Sequence, residues 1–183
     1  MARSTLMSIT TRALGLALGF GVLFAARPAH ATGKLALDLE AALPTDSVPD
    51  AKTGWGGAVR FGNEWNLVLL KLTPEIQGNY HSFGGASEAN QFGVMAGGRL
   101  GIGLLLQPSV YAHAGVGHYG YHTLLRDVSQ TSLAYDVGLA LDITALPIVD
   151  FGAHASLNGV AGDDDADPFT WYSLGGHIAL SLP

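Results

Sequence analysis

The chain has 183 residues, no cysteine and a formal net charge of -6, and only 13% of its residues are charged. The lack of cysteine excludes a disulfide framework and a thiolate metal site. The acidic balance disfavours nucleic acid as a partner, because its phosphates would be repelled. Because ordinary soluble domains contain about 25% charged residues, this composition predicts a small solvated surface.

The first 31 residues have the pattern of a removable secretory signal. Two arginines precede the apolar run 13–26, and residues 29–31 form a small-residue cleavage pattern. We therefore expect residues 1–31 to be removed and residues 32–183 to form a single domain. No later apolar run approaches the roughly 20 residues that a membrane-spanning helix needs, so any membrane crossing must be made by strands.

The rest of the chain contains eight stretches of alternating apolar and polar residues, which is the period-two pattern of β-strands. The stretches are 34–43, 54–61, 65–79, 91–100, 104–117, 133–142, 149–158 and 172–182. Their connections are alternately short and long. The short ones are 62–64, 101–103 and 144–147; the long ones are 44–53, 80–89, 118–130 and 159–168. This rhythm predicts an all-β fold, an eight-stranded antiparallel up-and-down transmembrane β-barrel.

Two prolines fall inside the predicted strands. Pro74 lies in the third stretch and Pro108 in the fifth. Every strand of a closed barrel is paired on both edges, so each proline removes one hydrogen bond from a ladder. We expect each of them to mark a β-bulge.

The polar faces of these stretches are rich in glycine and carry isolated charges. The outside of a soluble lipocalin-type barrel would carry many lysines and glutamates. The polar faces of this chain carry too few charges for that, so they are assigned to the lumen. An eight-stranded barrel is just wide enough to be filled by side chains, and a charge enclosed there needs a partner. The predicted lumen ion network is Arg60, Lys71 and Arg99 with Asp38, Glu40, Glu75, Asp136 and Asp142.

Aromatic residues cluster near both ends of the predicted strands, as expected for two girdles at the lipid interfaces. Phe61 and Trp65 lie near a short turn. The second group lies near the long loops and consists of Trp55, Tyr80, Phe92 and Tyr172.

Four segments carry a family likeness: 56–62, 72–76, 108–112 and 135–138. Through these segments, the chain beyond the signal resembles the small eight-stranded outer-membrane barrels of Gram-negative bacteria, the OmpA/OmpX-like group. The signal segment implies secretion through the inner membrane, and the resemblance implies assembly by the outer-membrane insertion machinery. It also implies contact with outer-membrane lipid and lipopolysaccharide, with the short turns in the periplasm and the long loops outside.

One pair of residues could act in catalysis. His154 and Ser156 share a strand face and could serve as base and nucleophile. The pair is similar to the His-x-Ser of outer-membrane lipid A deacylases, but Leu157 stands where that family has asparagine. Both side chains also share the predicted lumen face, which favours a hydrogen-bonded lumen histidine over a catalytic one.

Two loops offer candidate metal ligands. Asp163, Asp164, Asp165 and Asp167 could hold calcium, but they lack the spacing of an EF-hand loop and a solvated loop is the preferred interpretation. His118 and His122 have a spacing that would favour a metal only on a helix, and they lie in a predicted loop. The sequence contains no phosphate-binding loop, dinucleotide fingerprint or His-Glu-x-x-His motif. We therefore predict no cofactor, no metal site and no catalytic residue.

Three functions are consistent with these patterns. The preferred one is a structural or surface-interaction role, through polar outer loops around a lumen plugged by side chains. The first alternative is a narrow pore or small-molecule transporter, if the lumen glycines leave a gap beside the ions. The second is an envelope-lipid hydrolase that uses His154 and Ser156.

Overall fold

The computed structural model describes residues 31–45, 51–67, 69–85, 88–122, 127–162 and 167–182. Eight strands pair in chain order, all antiparallel, and the last pairs with the first to close a barrel. The predicted fold class is therefore confirmed. In these ranges no helix has the length and apolar character needed to cross a membrane. The strands are β1 (Ala31–Pro44), β2 (Ala51–Leu67), β3 (Leu70–Gly85), β4 (Glu88–Ile102), β5 (Leu106–His122), β6 (Asp127–Leu146), β7 (Val149–Val160) and β8 (Phe169–Leu182).

The predicted signal segment lies outside the described residues, except Ala31, which is the first residue of β1 and pairs with Trp65. The aspartates 163–165 of the acidic loop also lie outside them. Asp167 lies in the described part, before β8.

The short turns lie a few residues further along the chain than predicted. Residues 62–64 are not a turn but belong to β2, where Gly62 pairs with Lys34 and Asn63 with Gly33. The ladder with β1 continues through them, and Gly-Asn-Glu is a turn signal only where a ladder ends. The turn predicted at 101–103 begins instead at Gly103, whose φ of 120° favours glycine. Likewise, the turn predicted at 144–147 lies after Leu146.

The outer connections are shorter than predicted. Residues 80–85 and 88–89 of one predicted long loop belong to β3 and β4, and most of 118–130 belongs to β5 and β6. The pairing of Tyr80 with Phe92 and of His118 with Thr131 continues the same ladders. These strands continue past the apolar belt, where outward positions become polar and the sequence loses its apolar alternation.

The expected bulges at the two prolines are wrong. Pro74 pairs with Gly98 and Pro108 with Leu141, with no change of register on either ladder. The cost of Pro74 is a local gap in the β2–β3 pairing, between the pairs Gly62–Glu75 and Trp65–Leu72. The register shifts occur elsewhere, at residues 52–54 of β2 and 144–146 of β6.

The barrel has an apolar exterior and a polar interior. Large apolar side chains on its outer face are widely exposed, for example Leu39 at 70%, Leu139 at 63% and Leu174 at 62%. Soluble proteins rarely expose continuous apolar surface on this scale, whereas membrane barrels present such a band to lipid. The predicted assignment of apolar faces outward and polar faces inward agrees with this burial pattern.

A charge placed on the exterior tests this orientation. Leu139→Arg is expected to destabilise the barrel by about 2–4 kcal/mol in a phospholipid bilayer, because the position lies midway along the apolar belt. Thr53→Arg, an exposed position beyond the belt, is the matched control and is expected to cost about 0–1 kcal/mol. Urea unfolding in vesicles, followed by tryptophan fluorescence, measures both. Equal costs would contradict a lipid-facing Leu139.

Candidate functional site

The lumen is lined by side chains in three layers, and the first is the inner mouth. It lies at the end where β1 begins and β8 ends, and we define it by Lys34, Glu64, Lys71, Gln107 and Asp150. Lys34 Nζ lies 2.5 Å from an Asp150 oxygen and 3.6 Å from Glu64. Lys71 Nζ lies 3.5 Å from Glu64 and donates to Gln107 Oε1 at 2.9 Å. These lysines keep 14–15% side-chain exposure, so solvent reaches this layer.

The second layer is an ion-pair centre around two arginines. Arg60 donates to both carboxylate oxygens of Asp38, at 2.7 and 2.8 Å. Glu75 lies between the guanidinium groups, 3.6 Å from Arg60 and 3.7 Å from Arg99. Arg99 also donates to Asp142 at 3.2 Å. Because these groups are buried in the barrel, each one depends on its partner for stability.

Four histidines join the carboxylates of this centre, and the sequence reasoning missed three of them as network members. Glu40 contacts two imidazoles, His81 at 2.5 Å and His154 at 2.9 Å. His113 lies between Glu75 at 2.9 Å and Asp136 at 3.2 Å. His177 contacts Asp142 through Nε2. Alternation along the strand was the available signal. His113 and His177 fall on predicted polar faces, and His81 continues the polar face of Glu75 on β3.

The structure thus brings all eight predicted network residues into the lumen, with some partners that differ from those expected. Lys71 meets Glu64 and Gln107, neither of which was predicted. Asp136 meets His113 and Gln77 rather than an arginine. The inner-mouth residues Lys34, Glu64 and Asp150 were also missed. Glu64 was missed because residues 62–64 were predicted to form a turn, whereas Lys34 and Asp150 lie inside predicted strands but were not assigned to the network.

Interior glycines make room for the larger lumen side chains. A Cβ at each of four glycines would collide with a ring that projects from another strand. The facing pairs are Gly56 with His81, Gly97 with His113, Gly138 with Tyr111 and Gly152 with His177. The glycine-rich polar faces are therefore a packing requirement of a narrow barrel.

The third layer is the aromatic plug, which we define as Phe83, Tyr119, Phe169 and Trp171. All four are at most 2% exposed, and their ring centroids lie 4.9–5.7 Å apart in the contacting pairs. The Tyr119 hydroxyl donates to the backbone oxygen of Asp167 at 2.8 Å. The plug closes the outer end of the lumen. Sequence reasoning missed it because all four residues fall in the predicted long loops or just outside the predicted strand bounds.

The predicted girdle residues lie on the outer face. Trp55 and Tyr80 are exposed, and their rings meet edge to face with centroids 6.0 Å apart. Phe92 and Tyr172 are also exposed, toward the outer end of the apolar belt. Phe61 and the half-buried Trp65 lie toward the inner end.

The residues considered for catalysis and metal binding are placed as follows. Both ring nitrogens of His154 face other groups: Nε2 faces Glu40, and Nδ1 lies 3.4 Å from His177 Nδ1. Ser156 Oγ accepts a hydrogen bond from Asn158 at 2.8 Å. The pair points into the lumen, away from lipid.

The loop histidines and the remaining aspartate lie near the outer end. His118 is exposed, with Nδ1 2.9 Å from the Thr131 hydroxyl. The side chain of His122 lies outside the described part of the structure. Asp167 is exposed, and its backbone oxygen, not its carboxylate, accepts the hydrogen bond from the Tyr119 hydroxyl.

Comparison with solved structures identifies the fold. The chain is similar to Neisserial surface protein A, with a TM-score of 0.62 and 14% identity over 83% of this chain and 99% of that one. It is also similar to a major outer membrane protein from Thermus thermophilus, with a TM-score of 0.50 and 12% identity over 82% and 99% of the two chains. No family model and no curated protein sequence matches the chain. The predicted resemblance to small eight-stranded outer-membrane barrels is therefore confirmed at the level of the fold.

Proposed function

We propose that this protein is an integral outer-membrane barrel with a structural or surface-interaction role, and that its lumen does not conduct. The observation that carries the proposal is the filling of the lumen from the inner mouth to the aromatic plug. Two cavities lined by inward-facing residues have volumes of about 50 and 20 Å³. Each has room for only a few water molecules.

Three observations support placement in the outer membrane. The exterior presents an apolar belt that matches lipid, the fold is that of known outer-membrane barrels, and the chain begins with a secretory-signal pattern. The partners that follow are outer-membrane lipid, lipopolysaccharide on the outer leaflet and the machinery that inserts barrels.

The surface for interaction is the part of the strands beyond the outer aromatic residues. β5 and β6 are the longest pair, with 17 and 20 residues, whereas a tilted strand needs only about 9–11 to span a bilayer. Exposed polar groups lie there, including His118, whose two ring nitrogens contact the hydroxyls of Thr131 and Ser129. This polar extension would meet a surface ligand outside the cell.

The two alternatives have weaker support. A narrow pore would require the plug and the ion-pair centre to move aside together. For the envelope-lipid hydrolase, we propose instead that His154 and Ser156 are non-catalytic, because the ring nitrogens of His154 face Glu40 and His177 rather than the serine hydroxyl.

Membrane fractionation and planar-bilayer recording test the proposal. The full chain is expected to give an outer-membrane band that shifts on heating before electrophoresis, and the purified barrel is expected to show no steady unitary conductance. A steady unitary conductance from a barrel that the heat shift shows to be folded would establish the pore instead. A soluble periplasmic band without a heat shift would contradict the membrane location.

A further inference from the structure

Three side chains from adjacent strands meet at the centre of the lumen. The Nδ1 atoms of His154 on β7 and His177 on β8 lie 3.4 Å apart. Each of them lies 3.8 Å from Oδ1 of Asp38 on β1. All three side chains are at most 5% exposed. Register accounts for part of this meeting, because Asp38 is paired directly opposite His177.

The other nitrogen of each ring is already bound to a carboxylate. His154 Nε2 lies 2.9 Å from Glu40 Oε2, and His177 Nε2 contacts Asp142. A carboxylate accepts, so each Nε2 donates its proton, and Nδ1 of a neutral ring is left as a lone pair. Two lone pairs that face each other repel unless a cation lies between them. In protein metal sites, a ligating histidine characteristically donates its other N–H to a carboxylate in this way.

The spacing of the three atoms fits a tetrahedral metal ion. Zinc–nitrogen bonds of about 2.0–2.1 Å place two tetrahedral ligand nitrogens roughly 3.3–3.4 Å apart, and the two Nδ1 atoms are separated by 3.4 Å. For a zinc–oxygen bond of ordinary length, Asp38 Oδ1 would have to move roughly 0.4 Å closer to the two Nδ1 atoms. The cavity of about 20 Å³ that Asp38 and His154 help to line leaves room for a water as fourth ligand.

The charge inside the barrel also calls for a cation. In the described part of the lumen, carboxylates outnumber lysines and arginines by three. The carboxylates are Asp38, Glu40, Glu64, Glu75, Asp136, Asp142 and Asp150, and the cations are Lys34, Arg60, Lys71 and Arg99. Burying uncompensated charge is costly. His113 lies between two carboxylates, so both of its ring nitrogens donate and its positive charge offsets part of this excess. A divalent ion would supply further positive charge.

We propose that Asp38, His154 and His177 bind a divalent transition-metal ion inside the barrel, with Zn²⁺ the ion that their spacing fits. Glu40 and Asp142 orient the two imidazoles, and Arg60 holds Asp38 through hydrogen bonds to both of its oxygens. Entry is from the inner mouth, because His177 and Asp142 also line its cavity of about 50 Å³. This site is independent of the surface role proposed above.

Metal titration of the folded barrel tests the site. The full chain is expressed without an affinity tag, purified from membranes in detergent, stripped with EDTA and titrated with ZnCl₂ in a calorimeter. We expect one Zn²⁺ per chain, and a visible absorption band of tetrahedral geometry when Co²⁺ replaces it. His154→Gln and His177→Gln are each expected to weaken binding at least about 100-fold, since loss of an orienting partner alone costs about 10–100-fold.

His113→Gln is the matched control. This substitution also removes a buried imidazole held by two carboxylates. Because His113 lies outside the proposed site, the zinc affinity of the variant is expected to equal that of the unmodified protein. Heat-shifted electrophoresis confirms that each variant is folded. If a site variant does not fold, the thermal unfolding temperature of the unmodified barrel tests the proposal instead. We expect Zn²⁺ to raise that temperature.

Two results would overturn the proposal. The first is an unmodified barrel that takes up no stoichiometric Zn²⁺ and whose unfolding temperature does not respond to the metal. A proton shared between the two Nδ1 atoms would then account for their approach. The second is unchanged zinc affinity in a folded His154→Gln/His177→Gln double variant, which would place the metal elsewhere.

Discussion

Arg60→Ala is expected to destabilise the folded barrel by about 3–5 kcal/mol, because removing one partner of a buried ion pair leaves the other charge uncompensated. Asp38 would lose both of its guanidinium hydrogen bonds, and Glu75 would lose one of its two neighbouring guanidinium groups. The lumen already carries more carboxylates than lysines and arginines, so the variant adds to an existing imbalance. Urea unfolding of the barrel in phospholipid vesicles, with EDTA present throughout, measures the loss.

The control for Arg60 removes the pair as a whole. Arg60→Met with Asp38→Leu replaces two buried charges by apolar side chains of similar length, and such replacements are often neutral or stabilising. We therefore expect the double variant to recover most of the stability lost in Arg60→Ala. If the double variant is as unstable as the single one, the cost comes from lost packing and not from an unpaired Asp38.

Trp171→Ala is expected to cost about 3–5 kcal/mol, the range measured for truncating large buried aromatic side chains. Trp171 is 1% exposed and contacts the rings of Phe83 and Phe169 in the aromatic plug. Its removal leaves a cavity that neighbours on rigid strands cannot fill by relaxing. The same urea unfolding assay measures the effect, and planar-bilayer recording shows whether the opened plug admits ions.

The adjacent residue provides a matched control for the plug. Tyr172 lies next to Trp171 in β8 but points outward and is 57% exposed. Tyr172→Ala is expected to have a much smaller effect, because lipid fills the space that the ring vacates. Comparable losses at the two positions would mean that the outer end of the lumen is not tightly packed.

Sequence alone could establish the architecture because the relevant signal is local and repetitive. Alternation along a single strand places Leu139 outside and Asp142 inside without reference to any other strand. Eight such stretches, with short and long connections in turn, leave few topologies other than a meander that closes on itself. The same parity placed Arg60, Arg99 and the five predicted carboxylates in the lumen.

The partners of these residues could not be predicted in the same way. Glu40 on β1 meets His81 on β3 across the lumen, so their contact depends on the curvature of the barrel and on two registers at once. The ends of the strands could not be predicted accurately for a different reason. Tyr119 and Phe169 lie where outward positions have become polar, and the alternation no longer marks the strand although its ladder continues.

The two ends of the lumen differ in their access to solvent. The lysines of the inner mouth keep contact with solvent, whereas the rings of the plug are at most 2% exposed. If the short turns lie in the periplasm, as the proposed orientation places them, the interior is expected to equilibrate with the cell side alone. Acid or chelator in the surrounding medium would reach His177 only after crossing the membrane by another route. The ionic state of the lumen would therefore follow conditions inside the envelope, while the strand extensions outside respond to the environment.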